Sequence, residues 1–446
     1  MTIFDSRKSL DYTAGSGVQL NGGLAILGKI NPDTQRSVME AAIPIRNIRS
    51  NNKSWGDDSL DNLWDIDIEK MVKDKGGTTA DELIVDGNVM WYGIMRGVLQ
   101  KTLLETIPKN AAVEVNFDKT LTGIKSGTGG AVCEFRDGTS SESFDIIVGC
   151  DGIKSGVKEF VEKGKISDDA SKREGNAAAL YSGIRVGYAI QDLDALEDKK
   201  LPVTLEQVFA DGAYAFSGIF GNGPNRPPCK GCFVISLDDA YNGPFRRKES
   251  AGRTAPSENA DWSQDERKSK DETRRTMLDR LERFNVPGED FVSMIENSDR
   301  FFELGVYFHN PISLSGWSKE ISGSAGCFAV LCGDSAHAMP PFLGQGANQA
   351  IQDAYLLAQK ICLFNSELQG SRIADMKPDL RALLKEYEYT RWKPTTSITA
   401  KAAILGYLET GGRDGFFSKF RDVFFKTLSI AGIPTRVLLD AATPKV

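Results

Sequence analysis

Hydrophobic and polar positions follow two different patterns along the chain. In the first pattern, short apolar runs typical of strands are followed by stretches with helical periodicity. The pattern predicts a short buried strand that ends on an acid over Met1 to Asp5, and a strand followed by a helix over Trp91 to Ile107. The run Phe144 to Gly149 predicts a strand buried on both faces. Strands that alternate with helices in this way indicate an α/β architecture.

The second pattern lies between about Tyr181 and Leu237, where strand-like segments follow one another as in an antiparallel sheet. Residues 245–275 are dense in charged and polar side chains, which predicts a solvated excursion. After Gly326 the chain returns to strand, loop and long helix. These changes predict three parts: an α/β part over 1–180 and 300–375, a sheet part over 181–299, and a helical region over 376–446.

Composition excludes several classes of protein. The 446 residues include 54 Lys plus Arg against 61 Asp plus Glu, a net charge of -7, so the positive charge expected of a nucleic-acid binder is absent. Seven scattered cysteines, an odd number, indicate reduced thiols and not a secreted disulfide framework. No apolar run is long enough for a membrane span, and the first residues lack a signal pattern. We expect a soluble intracellular protein, cytoplasmic by default, or one in an organelle if a targeting segment precedes Met1.

The clearest chemical signal is the strand, loop and helix that follow Gly326. Asp334 stands at the carboxyl end of a buried strand, an end that faces a binding crevice in α/β folds. Gly344 and Gly346 allow the backbone to approach a ligand closely just before a helix begins. The first N–H groups of that helix, at Ala347 and Asn348, suit a negatively charged ring or phosphate. For a lone G-x-G, a capped helix with a glycine turn would be the better interpretation.

The whole segment GDSAHAMPPFLGQGANQAIQDA, residues 333–354, resembles the FAD-dependent monooxygenases of the para-hydroxybenzoate hydroxylase type. This family includes salicylate hydroxylases and zeaxanthin epoxidases. The resemblance implies that FAD is the cofactor, that Asp334 hydrogen-bonds its ribityl chain, and that the following loop lies against the flavin ring. By position, the loop residues are Pro341, Gly344, Gln345, Gly346, Ala347 and Asn348. The implied fold class is α/β: a doubly wound, Rossmann-like FAD-binding domain, with an inserted antiparallel-sheet substrate domain and a helical carboxyl terminus.

Three shorter segments agree with this resemblance. The segment FDIIVGCDGIKS resembles the second motif of the family, which implies cofactor binding and nicotinamide use for Asp151 and Gly152, with Lys158 where an Arg is more usual. Arg96, in MRGVLQKTLL, matches an arginine that contacts the FAD phosphate and ribityl region. Asp5, in TIFDSR, matches the acid that holds the adenosine ribose, with Arg7 beside it.

One motif of the family is missing. A G-x-G-x-x-G loop should come about 20 residues before the ribose acid, and Asp5 stands too near the start of this sequence for that. GNGPNR, at Gly221 to Arg226, predicts a turn and not a nucleotide loop. We therefore expect an amino-terminally incomplete FAD-binding domain that binds FAD poorly, because the helix end that cradles the pyrophosphate would be absent. A decayed paralogue is the alternative explanation.

The resemblance implies a monooxygenase that uses NADPH or NADH and O2 to hydroxylate or epoxidise an aromatic or isoprenoid-like organic substrate. Two alternatives stay open: a flavin oxidoreductase of the same fold that does not hydroxylate, and a truncated relic without catalysis. The residues assign no catalytic side chain, and they do not predict an oligomeric state.

The remaining candidates have ordinary structural interpretations. CKGC at Cys229 to Cys232 has the spacing of a metal or redox pair, but no second pair accompanies it, so we predict no metal site. His309 is interpreted as structural and His337 as a positioning residue. The aromatic residues Trp317, Phe216 and Phe220 line a substrate cavity or pack in the core.

The carboxyl-terminal stretch FFSKFRDVFFKTLSIAGIPTRVLL is amphipathic. We expect it to pack on the body of the protein, and a weak contact with a membrane surface is the alternative.

Overall fold

The fold is known from a computed structural model, which describes residues 1–13, 15–53, 59–74, 81–167, 178–193, 204–238, 269–287, 289–311, 316–324, 326–370, 379–411 and 416–446. The strands are β1 (Thr2–Phe4), β2 (Gly17–Leu20), β3 (Ile43–Pro44), β4 (Asn47–Lys53), β5 (Leu60–Asp67), β6 (Ile84–Val85), β7 (Asn88–Val89), β8 (Tyr92–Met95), β9 (Glu114–Asn116), β10 (Leu121–Gly127), β11 (Gly130–Phe135), β12 (Ile146–Gly149), β13 (Leu180–Asp192), β14 (Thr204–Phe209), β15 (Ala213–Phe220), β16 (Cys229–Leu237), β17 (Arg300–Phe308), β18 (Ser318–Glu320) and β19 (Phe328–Leu331).

The helices are α1 (Gly22–Ile30), α2 (Pro32–Ala41), α3 (Ile68–Asp74), α4 (Arg96–Glu105), α5 (Gly156–Lys163), α6 (Lys270–Arg283), α7 (Glu289–Glu296), α8 (Asp334–His337), α9 (Gly346–Gly370), α10 (Leu380–Thr410), α11 (Phe416–Ile430) and α12 (Ile433–Ala442). The helical region predicted for the carboxyl terminus is confirmed by α10, α11 and α12. Within the described ranges, no helix has the length and apolar content needed to cross a bilayer.

A seven-stranded sheet with the order β17-β13-β16-β15-β14-β4-β5 is the largest element. Its strands are antiparallel except for the parallel pair β14 and β4. Helices α6 and α7 cover one face, where Met277, Leu281 and Phe291 are buried against the sheet. Gly187 on β13 permits this approach, because a Cβ there would lie 2.7 Å from the Met277 side chain.

This sheet extends beyond the predicted part 181–299. Strands β4 and β5, before residue 180, and β17, after residue 299, all belong to it. The parallel register of β4 with β14 places Asn47 opposite Thr204. Of the predicted solvated excursion 245–275, residues 245–268 lie outside the described residues.

A smaller sheet with the order β12-β19-β18 carries the two predicted cofactor motifs at its strand ends. β12 and β19 run parallel, with Gly149 opposite Leu331. All of β19 is buried. On β12, however, Val148 is 39% exposed. The prediction that β12 is buried on both faces is therefore wrong: α5 covers the face with Gly149, where a Cβ would lie 2.6 Å from Val157.

β1 pairs in parallel with β9 and is only partly buried. Phe4 packs on Phe135, with ring centroids 4.8 Å apart, whereas Ile3 points away from this contact and is exposed. The prediction of a buried first strand is therefore wrong. The segment GNGPNR forms the predicted turn between β15 and β16, in which Gly223 has a φ of 108°.

Candidate active site

Asp334 lies at the first position of α8, directly after the end of β19. Gly333 makes the sharp turn between them with a φ of 67° and a ψ of -138°, a conformation that is strained for any other residue. A Cβ on Gly333 would also lie 3.1 Å from the Cβ of Ala350. The Asp334 side chain is thus aimed by a backbone turn that requires glycine.

The Asp334 side chain is exposed, and within the described ranges its carboxylate accepts no hydrogen bond. Desolvation raises the pKa of Asp334, although the nearby charges of His337 and Arg96 oppose that rise. Since Arg96 influences this carboxylate, both side chains lie within electrostatic reach of each other. An unpaired acid beside a cation is poised to bind a ligand that offers hydroxyl donors.

Arg96 begins α4, after the fully buried strand β8. Its backbone N–H donates to Ser16 O at 3.0 Å, and Gly97 is needed next to it because a Cβ there would lie 2.2 Å from Tyr12 O. The Arg96 guanidinium is exposed, and no carboxylate of the described residues forms an ion pair with it. It therefore offers an uncompensated positive charge to a ligand.

The loop before α9 approaches Asp334 from the other side. Gly344 has a left-handed φ of 62° and ends a 3-10 turn over Pro341–Leu343, whose first residue, Pro341, accepts a hydrogen bond from Gly344 N at 2.8 Å. A Cβ on Gly346 would lie 3.9 Å from Asp334 Oδ1, so the start of α9 and the carboxylate are neighbours.

The N–H groups of Gly346, Ala347 and Asn348 have no acceptor in the part of the chain that is described. They belong to the first turn of a 25-residue helix, whose amino-terminal end carries a partial positive charge. The start of α9 therefore presents a row of backbone donors suited to a carbonyl or anionic edge.

The side chain of Asn348 is fully buried and does not face the cleft. Its Oδ1 accepts from Asn21 N at 2.8 Å and Gly23 N at 3.0 Å, and its Nδ2 donates to Gln19 O at 2.9 Å and Gly344 O at 3.1 Å. Asn348 thus joins the end of β2 and the start of α1 to the loop before α9. Gln345 is also buried and donates to Leu343 O at 3.3 Å.

Asp151 has a structural explanation in addition to its predicted role. Its carboxylate accepts from Ser155 Oγ, from Gly156 N at 2.7 Å and from Val157 N at 3.2 Å, so it caps the start of α5. Gly152 has a φ of 75° and makes the turn between the strand and this cap.

The second motif is joined to the first across the small sheet. The Lys158 ammonium, on α5, is buried and donates to Ala336 O at 3.0 Å. Desolvation lowers the pKa of Lys158 to about 8. Ser335 Oγ donates to Gly149 O at 2.5 Å, and Cys332 N donates to the same oxygen at 3.0 Å. The strand ends that carry Asp151 and Asp334 are therefore adjacent, as their motifs predict.

Asp5 and Arg7 form an ion pair with each other at the end of β1. Arg7 donates from its Nη2 to Asp5 Oδ2 at 2.7 Å and from its Nε to Oδ1 at 3.0 Å. Burial acts to raise the pKa of Asp5, but the hydrogen bonds and charge of Arg7 lower it overall. Among the described residues, no contact joins this pair to Asp334 or Arg96, so the part of Asp5 and Arg7 in the site stays a prediction.

A buried ion network behind the site was not predicted. Asp353, on α9, accepts from Arg391 Nε at 2.6 Å and from Gly333 N at 2.9 Å, and it lies 2.5 Å from His337 Nε2. Burial acts to raise the pKa of Asp353, but His337 and Arg391 lower it overall. In the sequence, this network could have been indicated by the polar residues on one face of the helix, Gln349, Gln352 and Asp353.

The remaining candidates are mostly core residues. His309 is buried, with Nε2 2.9 Å from Ile153 O, and desolvation followed by the charge of Lys158 lowers its pKa to about 3. Trp317 is buried beside His337, at 5.2 Å between ring centroids. Phe220 is 3% exposed, which favours the core interpretation.

An aromatic wall on the large sheet lies near Arg96. Tyr188 stacks on Phe302 at 4.4 Å and meets Phe233 edge-on at 5.2 Å. Phe216, one of the predicted cavity residues, packs on Phe233 at 5.1 Å and remains partly accessible. Desolvation raises the pKa of Tyr188 to about 12, against the opposing charge of Arg96. The wall, defined as Tyr188, Phe216, Phe233 and Phe302, is therefore within electrostatic reach of the Arg96 cation.

Comparisons with known proteins agree with this geometry. Residues 329–379, which include Asp334 and the start of α9, match the family model described as FAD binding domain. The chain is similar to 3-amino-4-hydroxybenzoate 2-monooxygenase of Streptomyces platensis, at 26% identity over 292 residues, 65% of this chain and 58% of that protein. It is also similar to salicylate hydroxylase of Pseudomonas putida, at 25% identity over 271 residues, 58% of this chain and 51% of that protein.

Among solved structures, Klebsiella pneumoniae HpxO complexed with FAD and uric acid has the same fold, with a TM-score of 0.65 at 16% identity over 98% of this chain and 90% of that chain. The predicted resemblance to FAD-dependent monooxygenases is confirmed, as are FAD as the cofactor of the matched family and the mixed α/β fold class with a large sheet and a helical carboxyl terminus. The chain spans 58% and 51% of the two curated relatives' lengths.

Proposed function

We propose that this protein binds FAD in the cleft formed by Asp334, Arg96 and the first turn of α9, and that it acts as an FAD-dependent monooxygenase. The carrying observation is that three unsatisfied groups lie near one another: the start of α9 neighbours Asp334, and Arg96 is within electrostatic reach of Asp334. Asp334 is an acceptor without a donor, Arg96 is a cation without a carboxylate, and Gly346 to Asn348 present N–H groups without acceptors among the described residues.

Each group fits a different part of FAD. The Asp334 carboxylate accepts hydrogen bonds from ribityl hydroxyl groups, and the Arg96 guanidinium binds an oxygen of the pyrophosphate. The N–H groups at the start of α9 stabilise negative charge on the flavin ring, since they are fixed in place before any ligand arrives. When bound, FAD supplies electron transfer and oxygen activation; the protein orients it and excludes water.

NADPH or NADH is the proposed reductant, and an aromatic or isoprenoid-like compound is the proposed substrate. The aromatic wall supports this choice, because the partly accessible rings of Tyr188, Phe216 and Phe302 provide an apolar surface near Arg96. In this arrangement the substrate lies between the aromatic wall and the flavin, where an aromatic or an isoprenoid-like ring packs well.

FAD titration of the full chain, followed by flavin absorbance, tests the cofactor site. Asp334→Ala or Arg96→Ala should weaken binding by roughly 10- to 100-fold, because each removes a charge-assisted hydrogen bond worth about 1.5–3 kcal/mol. The matched controls are Asp33→Ala and Arg36→Ala, which alter an exposed ion pair on α2 and should bind like the parent. Absence of saturable binding by the parent, or parent-like binding by both site variants, would refute the site. The titration also measures the weak FAD binding expected from the sequence.

The reaction is tested separately by recording oxygen consumption and NAD(P)H oxidation with a panel of aromatic and isoprenoid compounds. A monooxygenase consumes oxygen with a hydroxylated or epoxidised product. NAD(P)H oxidation that passes electrons only to another acceptor would instead identify a flavin oxidoreductase. A chain that binds FAD but does neither is a non-catalytic relic.

We also propose a weak contact between α11 and an anionic membrane surface. Phe425 on this helix is buried against Phe209, with ring centroids 5.7 Å apart, which confirms packing on the body. Its outward face, however, carries large exposed apolar side chains and two lysines: Lys419, Phe420, Val423, Phe424, Lys426 and Ile430. Asp422, the acid of this helix, is buried. An apolar stripe flanked by lysines fits the boundary of an anionic bilayer.

Co-sedimentation with vesicles of phosphatidylcholine containing about a third phosphatidylglycerol tests the membrane contact. Phe420→Ser/Phe424→Ser should reduce binding about tenfold or more, since each buried ring contributes roughly 1.5–3 kcal/mol. Tyr389→Ser is the control, because Tyr389 is an aromatic residue on α10 that is 82% exposed. Equal sedimentation of all three proteins, or none by the parent, would contradict the contact.

A further inference from the structure

The cysteines at the ends of β12 and β19 form a facing pair. Gly149 and Leu331 are the last partners in the parallel ladder, and Cys332 N donates to Gly149 O at 3.0 Å. The next opposed residues are therefore Cys150 and Cys332, whose side chains project from the same face of the sheet.

The spacing of this pair suits a covalent bond. Neighbouring strands lie about 4.8 Å apart, and disulfides form when the Cα atoms are about 4.4–6.8 Å apart. The two thiols are close enough to influence each other: hydrogen bonding between them lowers the pKa of Cys150 and raises that of Cys332. Desolvation, followed by the charges of Asp151 and Asp353, acts in the opposite direction on the pKa of Cys150 without reversing its shift.

The two thiols differ in accessibility. Cys332 is buried, whereas Cys150 is exposed on the same face as the exposed Val148. An oxidant can therefore reach Cys150 first and leave Cys332 as the second thiol of the pair. Such an arrangement combines an accessible, acidified thiol with a resolving thiol.

The CKGC motif at Cys229 to Cys232 does not bring its two thiols close enough for a disulfide. Cys229 and Cys232 lie in one extended strand, β16, where three residues span about 10 Å and the side chains point to opposite faces. That separation exceeds the limit of about 7 Å for a disulfide. The sequence motif therefore marks a pair that cannot close without distortion of β16.

We propose that Cys150 and Cys332 are a peroxide-sensitive thiol pair that oxidises to a disulfide at the ends of β12 and β19. The Cys150 thiolate attacks hydrogen peroxide, the O–O bond breaks, and a sulfenic acid and one water are formed. Cys332 then attacks the Cys150 sulfur, its proton leaves with the hydroxyl group, and a second water is released. Two thiols are oxidised to one disulfide while one peroxide is reduced to two waters.

The experiment treats the full chain with hydrogen peroxide, blocks the remaining thiols by alkylation, and maps the unreduced peptides by mass spectrometry. The expected result is a linked pair of peptides containing Cys150 and Cys332, and a loss of two of the seven titratable thiols. Linkage of Cys229 to Cys232 would overturn the proposal. So would over-oxidation of Cys150 while Cys332 stays a free thiol and is therefore recovered in alkylated form. This mapping uses the parent protein, so it does not depend on the folding of a variant.

Variants sharpen the assignment. In Cys332→Ser, Cys150 should remain as a sulfenic acid that is trapped by dimedone, and in Cys150→Ser, Cys332 should stay reduced. Cys362→Ser is the control, since Cys362 is an exposed cysteine on α9, away from the pair in sequence. It should form the linked peptide as the parent does; failure to do so would contradict the assignment.

Discussion

Replacing Asp353 with asparagine perturbs the ion network behind the candidate site. Asp353 and Arg391 both have fully buried side chains and are joined at 2.6 Å. The Asp353→Asn side chain has nearly the same shape, but it carries no charge. Arg391 would then be a buried cation that has lost the one carboxylate it pairs with among the described residues. Asp353 also holds Gly333 N at 2.9 Å, so the turn that aims Asp334 loses a charged anchor.

The magnitude follows from burial. Removing one partner of a buried ion pair costs about 3–5 kcal/mol, whereas exposed pairs contribute little. With about 2 °C of Tm for each kcal/mol in a chain of this size, the Tm should fall by roughly 6–10 °C. The double variant Asp353→Asn/Arg391→Met should recover part of this loss, because the uncompensated charge is removed.

Thermal unfolding of the parent, the two single variants and the double variant forms a complete cycle. Asp33→Ala, which breaks an exposed pair with Arg36 at 3.0 Å, is the control and should leave the Tm unchanged. A Tm shift below about 2 °C for Asp353→Asn would be too small for the loss of a buried ion pair. Additive effects in the cycle would likewise refute the network.

Three further predictions concern other parts of the molecule. Gly333→Ala should lower the free energy of unfolding in urea by about 1–3 kcal/mol, because it combines a strained backbone with a close contact. Gly138→Ala, at a φ of 82° with no neighbour within 4 Å, should lower it less. Equal losses of stability would show that the close contact at Gly333 contributes nothing. Desolvation raises the pKa of Glu409 to about 8, so the folded protein favours the protonated carboxyl group. The contribution of Glu409 to stability should therefore fall as pH rises from about 5 to 9, and the Tm of Glu409→Gln should rise relative to the Tm of the parent over this range. A constant Tm difference between the two proteins would contradict this. Because Cys150 precedes the predicted cofactor residue Asp151, FAD at 100 times its Kd should slow alkylation of Cys150 by up to about 100-fold, whereas an unchanged rate would show that bound FAD does not cover Cys150.

Local features of the site could be predicted from the sequence. The segment 333–354 contains the strand end, the glycine turn and the helix start in one continuous stretch, so short-range rules suffice to place Asp334 and Gly346 together. Arg96 is far away in sequence, and only the resemblance to a family connected it with Asp334. The structure brings these side chains within electrostatic reach.

Features that depend on distant partners could not be predicted. The parallel pairing of β4 with β14 and the contact of Asp353 with Arg391 join residues without any shared local pattern. Apolar composition predicted that β12 is buried on both faces, but composition cannot show that Val148 lacks a covering element. Asp151 matched a cofactor motif, and its capping of α5 became visible only with the backbone in place.

A crystal structure of the full chain soaked with FAD would test the central claim most directly. The account predicts electron density for the flavin ring against the N–H groups of Gly346 to Asn348, with a ribityl hydroxyl group bonded to Asp334 and a phosphate beside Arg96. Density for FAD at another surface, or an isoalloxazine ring out of reach of the start of α9, would contradict it.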